Sequence, residues 1–209
     1  MWVLLAYRIL TLLTLPDLHC FCTPVLLIVL DMQRGTLLLG DSLLRYVPEN
    51  DKFVKLFFPG IDCVSLSEKI SLGELDSHLG VVSLVILLVG TNDVPLSFPD
   101  RVANRILSVA LALKSRYRTL TVAIAGVLPR PGDNGLYTIA TKLCNKRLEA
   151  VAVGADVVLL RSYRPFLSFD EPRLSHFEGD GLHLSDAGVR ALYRGFLSAI
   201  HRHTSGRLH

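Results

Sequence analysis

Ser42, Asp180 and His183 are the residue types that acyl transfer requires: a hydroxyl nucleophile, an imidazole to take its proton, and a carboxylate to fix the tautomer of that imidazole. Asp180 and His183 stand three apart in the glycine-containing turn "DGLHLS". That spacing lets the carboxylate accept the imidazole Nδ1–H and leaves Nε2 for the serine. Ser42 stands in "LLLGDSLLR", directly after an apolar run. An oxyanion needs donors, and two residues could join the Ser42 N–H: Gly60, whose own N–H no side chain blocks, and Asn92, through its amide. Each piece also has a plain reading. Gly-Asp-Ser makes turns and helix caps, Asn92 and Asp93 suit an Asx-turn, and His183 alone is an ordinary surface histidine. The conjunction favours chemistry, because every piece falls just after an expected strand or just before the last helix.

Those elements follow from hydrophobic periodicity. From Thr36 onward, short apolar runs alternate with stretches of helical period, the pattern of successive βαβ units. Strands are expected at 36–39, 53–58, 83–89, 119–125 and 156–160, and helices within 63–72 and at 99–117, 136–153 and 185–201. "SLVILLV" and "TVAIA" are nearly continuous apolar runs, as strands covered on both faces should be, and are expected at the centre. The fold class is therefore α/β: a three-layer α/β/α sandwich around a parallel sheet of about five strands. Its crevice lies outside the carboxyl ends of the strands, where "GDS", Pro59-Gly60 and "GTND" stand. Gly40 is expected to permit a tight turn and close ligand approach, and Ser42 to open a helix whose free N–H groups favour negative charge. The run 25–30 competes with 36–39 for the first-strand position; the latter is preferred because its end delivers Ser42.

Composition narrows the function. Of 209 residues half are apolar, and a formal charge of +3 is too small and too dispersed to imply nucleic acid or an anionic membrane as partner. Arg190, Arg194, Arg202 and Arg207 are expected on a solvated helix face and tail. Cys20, Cys22, Cys63 and Cys144 show neither metal-ligand spacing nor the density of a disulfide scaffold, and Cys63 and Cys144 are expected free and partly buried. His201, His203 and His209 are expected in a frayed polar tail, so no metal is expected. Residues 1–33 are very apolar yet interrupted by Arg8, Pro16, Asp17 and His19. Three readings stand open for them: a cleaved or anchoring segment, an additional packed element, or a non-native extension. Localisation follows the choice, cytoplasmic for a non-native extension and secreted or membrane-associated for a signal or anchor.

Taken together, "GDSL" (40–43), Gly60 in "FFPGID", "GTND" (90–93) and "DGLH" (180–183) resemble the sequence blocks of the SGNH, or GDSL-type, hydrolases. The resemblance runs from residue 36 to 203, which sets a domain at 34–203, an N-terminal extension at 1–33 and a polar tail at 204–209. "GVLPRPGDNGLYTIATKLCNKRL" (126–148) is similar to the "LPR … N" segment of platelet-activating-factor-acetylhydrolase-like members and of esterase domains borne by retroelements. The resemblance implies a flavodoxin-like sandwich, Ser42 as nucleophile, His183 as base and Asp180 as its partner. It further implies an oxyanion hole from Ser42 N–H, Gly60 N–H and the Asn92 amide, with no cofactor or metal. The expected activity is a serine esterase acting on carboxylic esters, short-chain acyl or acetyl included, through an acyl-Ser42 intermediate. Its partner would be a small-molecule, lipid or carbohydrate ester. The alternative is a non-catalytic domain of the same fold that binds protein or RNA. A fragment of a retroelement polyprotein is a third context, although the chain carries no reverse-transcriptase motif, zinc knuckle or long heptad run. Loops after Gly60 and at 94–98, 130–135 and 163–179 are expected to shape the pocket. Arg130 is expected to meet either an anionic substrate or a surface ion pair.

Overall fold

Parallel strands that are covered on both faces need apolar side chains on both faces, and the central strands supply them. The computed structural model describes residues 35–132 and 135–208. Five strands, β1 (Gly35–Gly40), β2 (Phe53–Phe57), β3 (Val82–Leu88), β4 (Thr121–Ile124) and β5 (Val158–Leu159), form one all-parallel sheet in the order β2-β1-β3-β4-β5. Leu37, Leu39, Val85, Leu87, Val122 and Ile124 point to one face and Leu38, Leu84, Ile86, Leu88 and Ala123 to the other, all of them buried. The first face packs against α1 (Cys63–Ser71), α3 (Pro99–Arg116) and α4 (Leu136–Ala152), and the second against α5 (Asp186–Thr204). This is the three-layer α/β/α sandwich expected from the sequence.

The strand order carries a functional consequence. From β1 the chain runs outward to β2, then crosses back to β3 on the other side of β1. The reversal opens a crevice between the carboxyl ends of β1 and β3, where open parallel sheets bind ligands. Ser42 follows β1 there, and Asn92 follows β3.

The helices begin and end on local chemistry. Asp62 caps α1 by accepting the Ser65 N–H at 2.8 Å. Pro99 and Asp100 open α3 and Lys114 and Arg116 close it, complementing its dipole. Ser185 caps α5, with Asp186 in the first turn, as the "SDAG" stretch suggests.

Several expectations need correction. The first strand is Gly35–Gly40, and the competing run 25–30 lies outside the described residues, as does the extension 1–33. β5 has two residues rather than five, because Asp156 at φ 50° has left the extended region and the strand cannot begin there. The short helix α2 (Asp76–Leu79) and the hairpin of β6 (Leu167–Ser168) and β7 (Glu171–Pro172) were not foreseen. α5 runs on to Thr204, so His203 belongs to a helix and not to a frayed tail; its Nε2 lies 3.0 Å from Ser83 Oγ, at the base of β3. Leu208 is buried too. Cys63 and Cys144 are free thiols but wholly rather than partly buried, and burial raises the Cys144 thiol to about 12. Arg190, Arg194, Arg202 and Arg207 are exposed as expected.

Candidate active site

Gly40 ends β1 against the backbone of β3. A Cβ at this position would lie 2.0 Å from the Leu88 carbonyl oxygen, so only glycine lets the two strands close to this distance. The close approach is therefore to a neighbouring strand and not to a ligand, as the sequence alone had suggested. Asp41 N–H continues the pairing, donating to Leu88 O at 3.2 Å, and the chain then turns into a three-residue 3-10 helix, Ser42–Leu44.

The cap of that turn is Asp41, not Ser42. Asp41 Oδ1 accepts the Leu43 N–H at 3.0 Å, which relieves Ser42 of capping and leaves its hydroxyl for other work. The helix expected after Ser42 is thus a single turn with a correspondingly small dipole. Asp41 is 1% exposed, and its Oδ2 has no hydrogen-bond partner. Burial pushes this carboxyl up to about 6; the Leu43 N–H and the charges of His183 and Arg130 oppose the rise, and Asp93 adds to it.

A carboxyl raised on folding binds more protons in the folded than in the unfolded state. Stability then falls as pH climbs from the usual carboxylate range to about 6, and the deficit is complete above that. Asp41→Asn keeps shape and cap, and is expected to melt a few degrees above wild type at pH 8 with no gain at pH 4. Calorimetry at the two pH values checks this.

The loops after β2 and β3 are stitched together by side chains. Asn92 Nδ2 donates to Ile61 O at 2.9 Å, and buried Asp93 accepts the Cys63 N–H at 3.0 Å, at the first turn of α1. Asp93 thus serves a distant helix and not the local Asx-turn. Arg105 reaches the other Asp93 oxygen at 3.4 Å. Gly60 sits between these stitches at φ +75°, a conformation that favours glycine. Among the described residues, the N–H groups of Ser42 and Gly60 donate to no protein acceptor. An amide carries two N–H hydrogens, and the bond to Ile61 uses one at Asn92. These three groups stand at the ends of adjacent strands, β1, β2 and β3.

Asp180 and His183 are joined as their spacing predicts. His183 Nδ1 lies 2.6 Å from Asp180 Oδ2, while Asp180 Oδ1 accepts the N–H groups of Leu182 and His183, each at 2.9 Å. These bonds, the imidazole's first, hold the Asp180 carboxyl down to about 2. It is an anion throughout the neutral range, and Nδ1 is the donor in this pair, so Nε2 is the free acceptor. Among the described residues Ser42 Oγ and His183 share no hydrogen bond; such contacts often tighten only with substrate.

Among the described residues Arg130 does not form the surface ion pair that was one of its two expected contacts. Its Nη1 donates to Thr91 O at 2.9 Å and its guanidinium lies 4.9 Å from the Tyr137 ring centroid, so it ties the segment after β4 to the "GTND" loop. Buried Asn145 fixes the start of that segment by bonding both N–H and C=O of Val127, at 2.8 and 2.7 Å. A cavity of about 290 Å³ lies beside the Asp180 turn, lined by Pro131, Gly132, Leu174, Phe177 and Gly181 among others, from two of the loops expected to shape the pocket. A larger groove of about 880 Å³ follows the outer edge of β5, away from all of these groups.

No family model and no curated protein sequence matches the chain. Solved structures do. A GDSL-like lipase from Bacteroides thetaiotaomicron VPI-5482 is similar at 18% identity and a TM-score of 0.69, over 83% of this chain and 90% of that one. A member of the lipolytic protein G-D-S-L family from Veillonella parvula DSM 2008 is similar at 18% identity and 0.65, over 81% and 99%. A candidate platelet activating factor from Streptococcus pneumonia is similar at 21% identity and 0.65, over 80% and 84%. On this likeness the chain has the fold of the GDSL-type, or SGNH, hydrolases.

Proposed function

We propose that the protein is a carboxylic-ester hydrolase working through an acyl-Ser42 intermediate. The observation that carries this reading is the Asp180–His183 pair at 2.6 Å, which aligns the imidazole and leaves Nε2 to accept a proton. Ser42 Oγ gives its proton to Nε2 and attacks the ester carbonyl carbon, and the carbonyl π pair moves onto oxygen. Ser42 N–H, Gly60 N–H and the Asn92 amide receive that oxyanion, and Asp180 balances the imidazolium. Collapse breaks the ester C–O bond as His183 returns the proton to the departing alkoxide. Water, deprotonated by the same imidazole, then releases the acid and restores Ser42. Every step uses side chains and backbone of this chain alone.

The acyl group proposed is a short one such as acetyl; the cavity of about 290 Å³ beside the Asp180 turn is lined by none of Ser42, Gly60, Asn92 and His183 and does not set it. The test is hydrolysis of p-nitrophenyl acetate and longer acyl homologues by the full chain, beside labelling with a fluorophosphonate that phosphonylates activated serines. Turnover falling with chain length, together with one label on Ser42, is the expected result. A folded protein that neither turns over any homologue nor takes the label overturns the proposal and favours a binding domain on the same fold.

A further inference from the structure

Every other arginine among the described residues is exposed, whereas Arg130 is half-buried. A guanidinium drawn out of water calls for an anion to balance it. No ion pair among the described residues includes Arg130. The carboxylates of the crevice are engaged elsewhere: Asp93 accepts from Cys63 N–H and Arg105, Asp180 from His183, and Asp41 from Leu43 N–H. Neutral groups hold Arg130 instead. Its Nη1 donates to Thr91 O at 2.9 Å, its guanidinium lies 4.9 Å from the Tyr137 ring centroid, and its own carbonyl accepts Thr138 Oγ1–H at 2.7 Å. A carbonyl and a ring fix the position of the side chain and leave its charge unmatched by any anion of the chain.

The place of that charge gives it a use. Thr91 directly precedes Asn92, the side-chain donor to the oxyanion, so the guanidinium stands beside the loop that bears this donor. Two residues beyond Arg130, Gly132 packs against the turn that carries the base: a Cβ there would lie 3.1 Å from Asp180 O. The segment after β4 therefore runs from the Asn92 loop to the Asp180–His183 turn, with Arg130 at its start. We propose that Arg130 is a specificity-determining residue: the substrate is an ester that also carries a carboxylate, on its alcohol or its acyl part, and Arg130 receives that anion. The inference rests on the reading of Ser42 as nucleophile. A planar guanidinium matches a carboxylate through paired N–H donors. With Asp93 and Asp180 already in the crevice, a single guanidinium suits a monoanion better than a dianionic phosphate. Anchoring the anion at Arg130 holds the ester carbonyl in reach of Ser42.

The test compares a charged ester with its neutral isostere, in the full chain and in folded Arg130→Gln, whose amide can still donate to Thr91 O without the charge. The pair p-acetoxybenzoate and methyl p-acetoxybenzoate sets the anion on the alcohol part. The pair mono-p-nitrophenyl succinate and methyl p-nitrophenyl succinate sets it on the acyl part. The readout is the ratio of kcat/KM for the charged ester to that for the neutral one. Loosening of the Asn92 loop lowers both esters alike and leaves the ratio unmoved, whereas loss of an anion contact lowers the ratio. In one of the two pairs the ratio should fall on the order of tenfold or more from wild type to Arg130→Gln, the scale of a hydrogen bond to a charged group. Arg130→Lys, which keeps the charge without the fork, should recover part of the fall. The responding pair assigns the anion to the alcohol or to the acyl part. A fall of less than about fivefold in both pairs overturns the inference. If neither protein hydrolyses any ester, the esterase reading fails alone and calorimetry decides. Binding of p-acetoxybenzoate or monomethyl succinate that weakens about tenfold in Arg130→Gln still supports the anion site; equal or absent binding overturns it.

Discussion

Ser42→Ala is expected to lower kcat on p-nitrophenyl acetate by roughly 10⁴ to 10⁶-fold, the scale on which serine hydrolases respond to loss of the nucleophile. The melting temperature should stay within about a degree of wild type, because Asp41 and not Ser42 caps the turn after β1. That pairing of results separates two uses of the same residue. Were Ser42 the cap, alanine would cost about 1 kcal/mol of stability and leave turnover alone. His183→Ala should match the kinetic loss, since an unassisted hydroxyl is a poor nucleophile, and the double variant should be little worse than either single one. Steady-state kinetics and a thermal melt on the same preparations decide it. Residual activity above a hundredth of wild type in Ser42→Ala would place the chemistry elsewhere.

The second large effect is expected at Asn92. Asn92→Ala removes one donor to the oxyanion, a loss worth roughly 10² to 10³-fold in kcat with little change in KM. It also removes the bond to Ile61 O that holds the loop bearing Gly60, so the loss should lie toward the upper end of that range. Asn92→Asp removes both contributions, since a carboxylate can donate neither to the oxyanion nor to Ile61 O. The carboxylate is of the same shape but cannot donate and repels an oxyanion, so it should be at least as damaging as alanine. A drop of less than tenfold in Asn92→Ala would remove this residue from the donor set.

The fold was legible because its central strands are unambiguous. "VSLVILL" has no polar side chain after Ser83 and is buried on both faces from Leu84 onward, which only an interior parallel strand or a buried helix tolerates. Its length and β-branched content decided for a strand. β5 was less legible, since apolar pattern does not reveal that Asp156 adopts a positive φ and delays pairing. At the site, Asp180 and His183 could be paired from spacing because both lie in one turn. Asp93 and Asn145 could not be given their partners. The bond from Cys63 to Asp93 spans 30 residues and those from Val127 to Asn145 span 18, and such pairings exist only once helices and strands are docked. One signal was available: two acidic residues at the ends of buried strands, directly beside Ser42 and Asn92, have little water to solvate them and must be held by something. The surface ion pair expected as one alternative for Arg130 is missing for the same reason, because its partner is a backbone carbonyl, which no residue type betrays.

The placement of the acid–base pair just ahead of α5 also bears on how the chain acquires its chemistry. Ser42 leaves the first strand, whereas His183 arrives about 140 residues later and is seated only when α5 closes over the face that the other helices leave bare. During synthesis, the sheet and one whole layer can form while the nucleophile still lacks its base. On the proposed mechanism a nascent or truncated chain is therefore chemically silent. Return of turnover during refolding would time the docking of the last helix and not the collapse of the sheet.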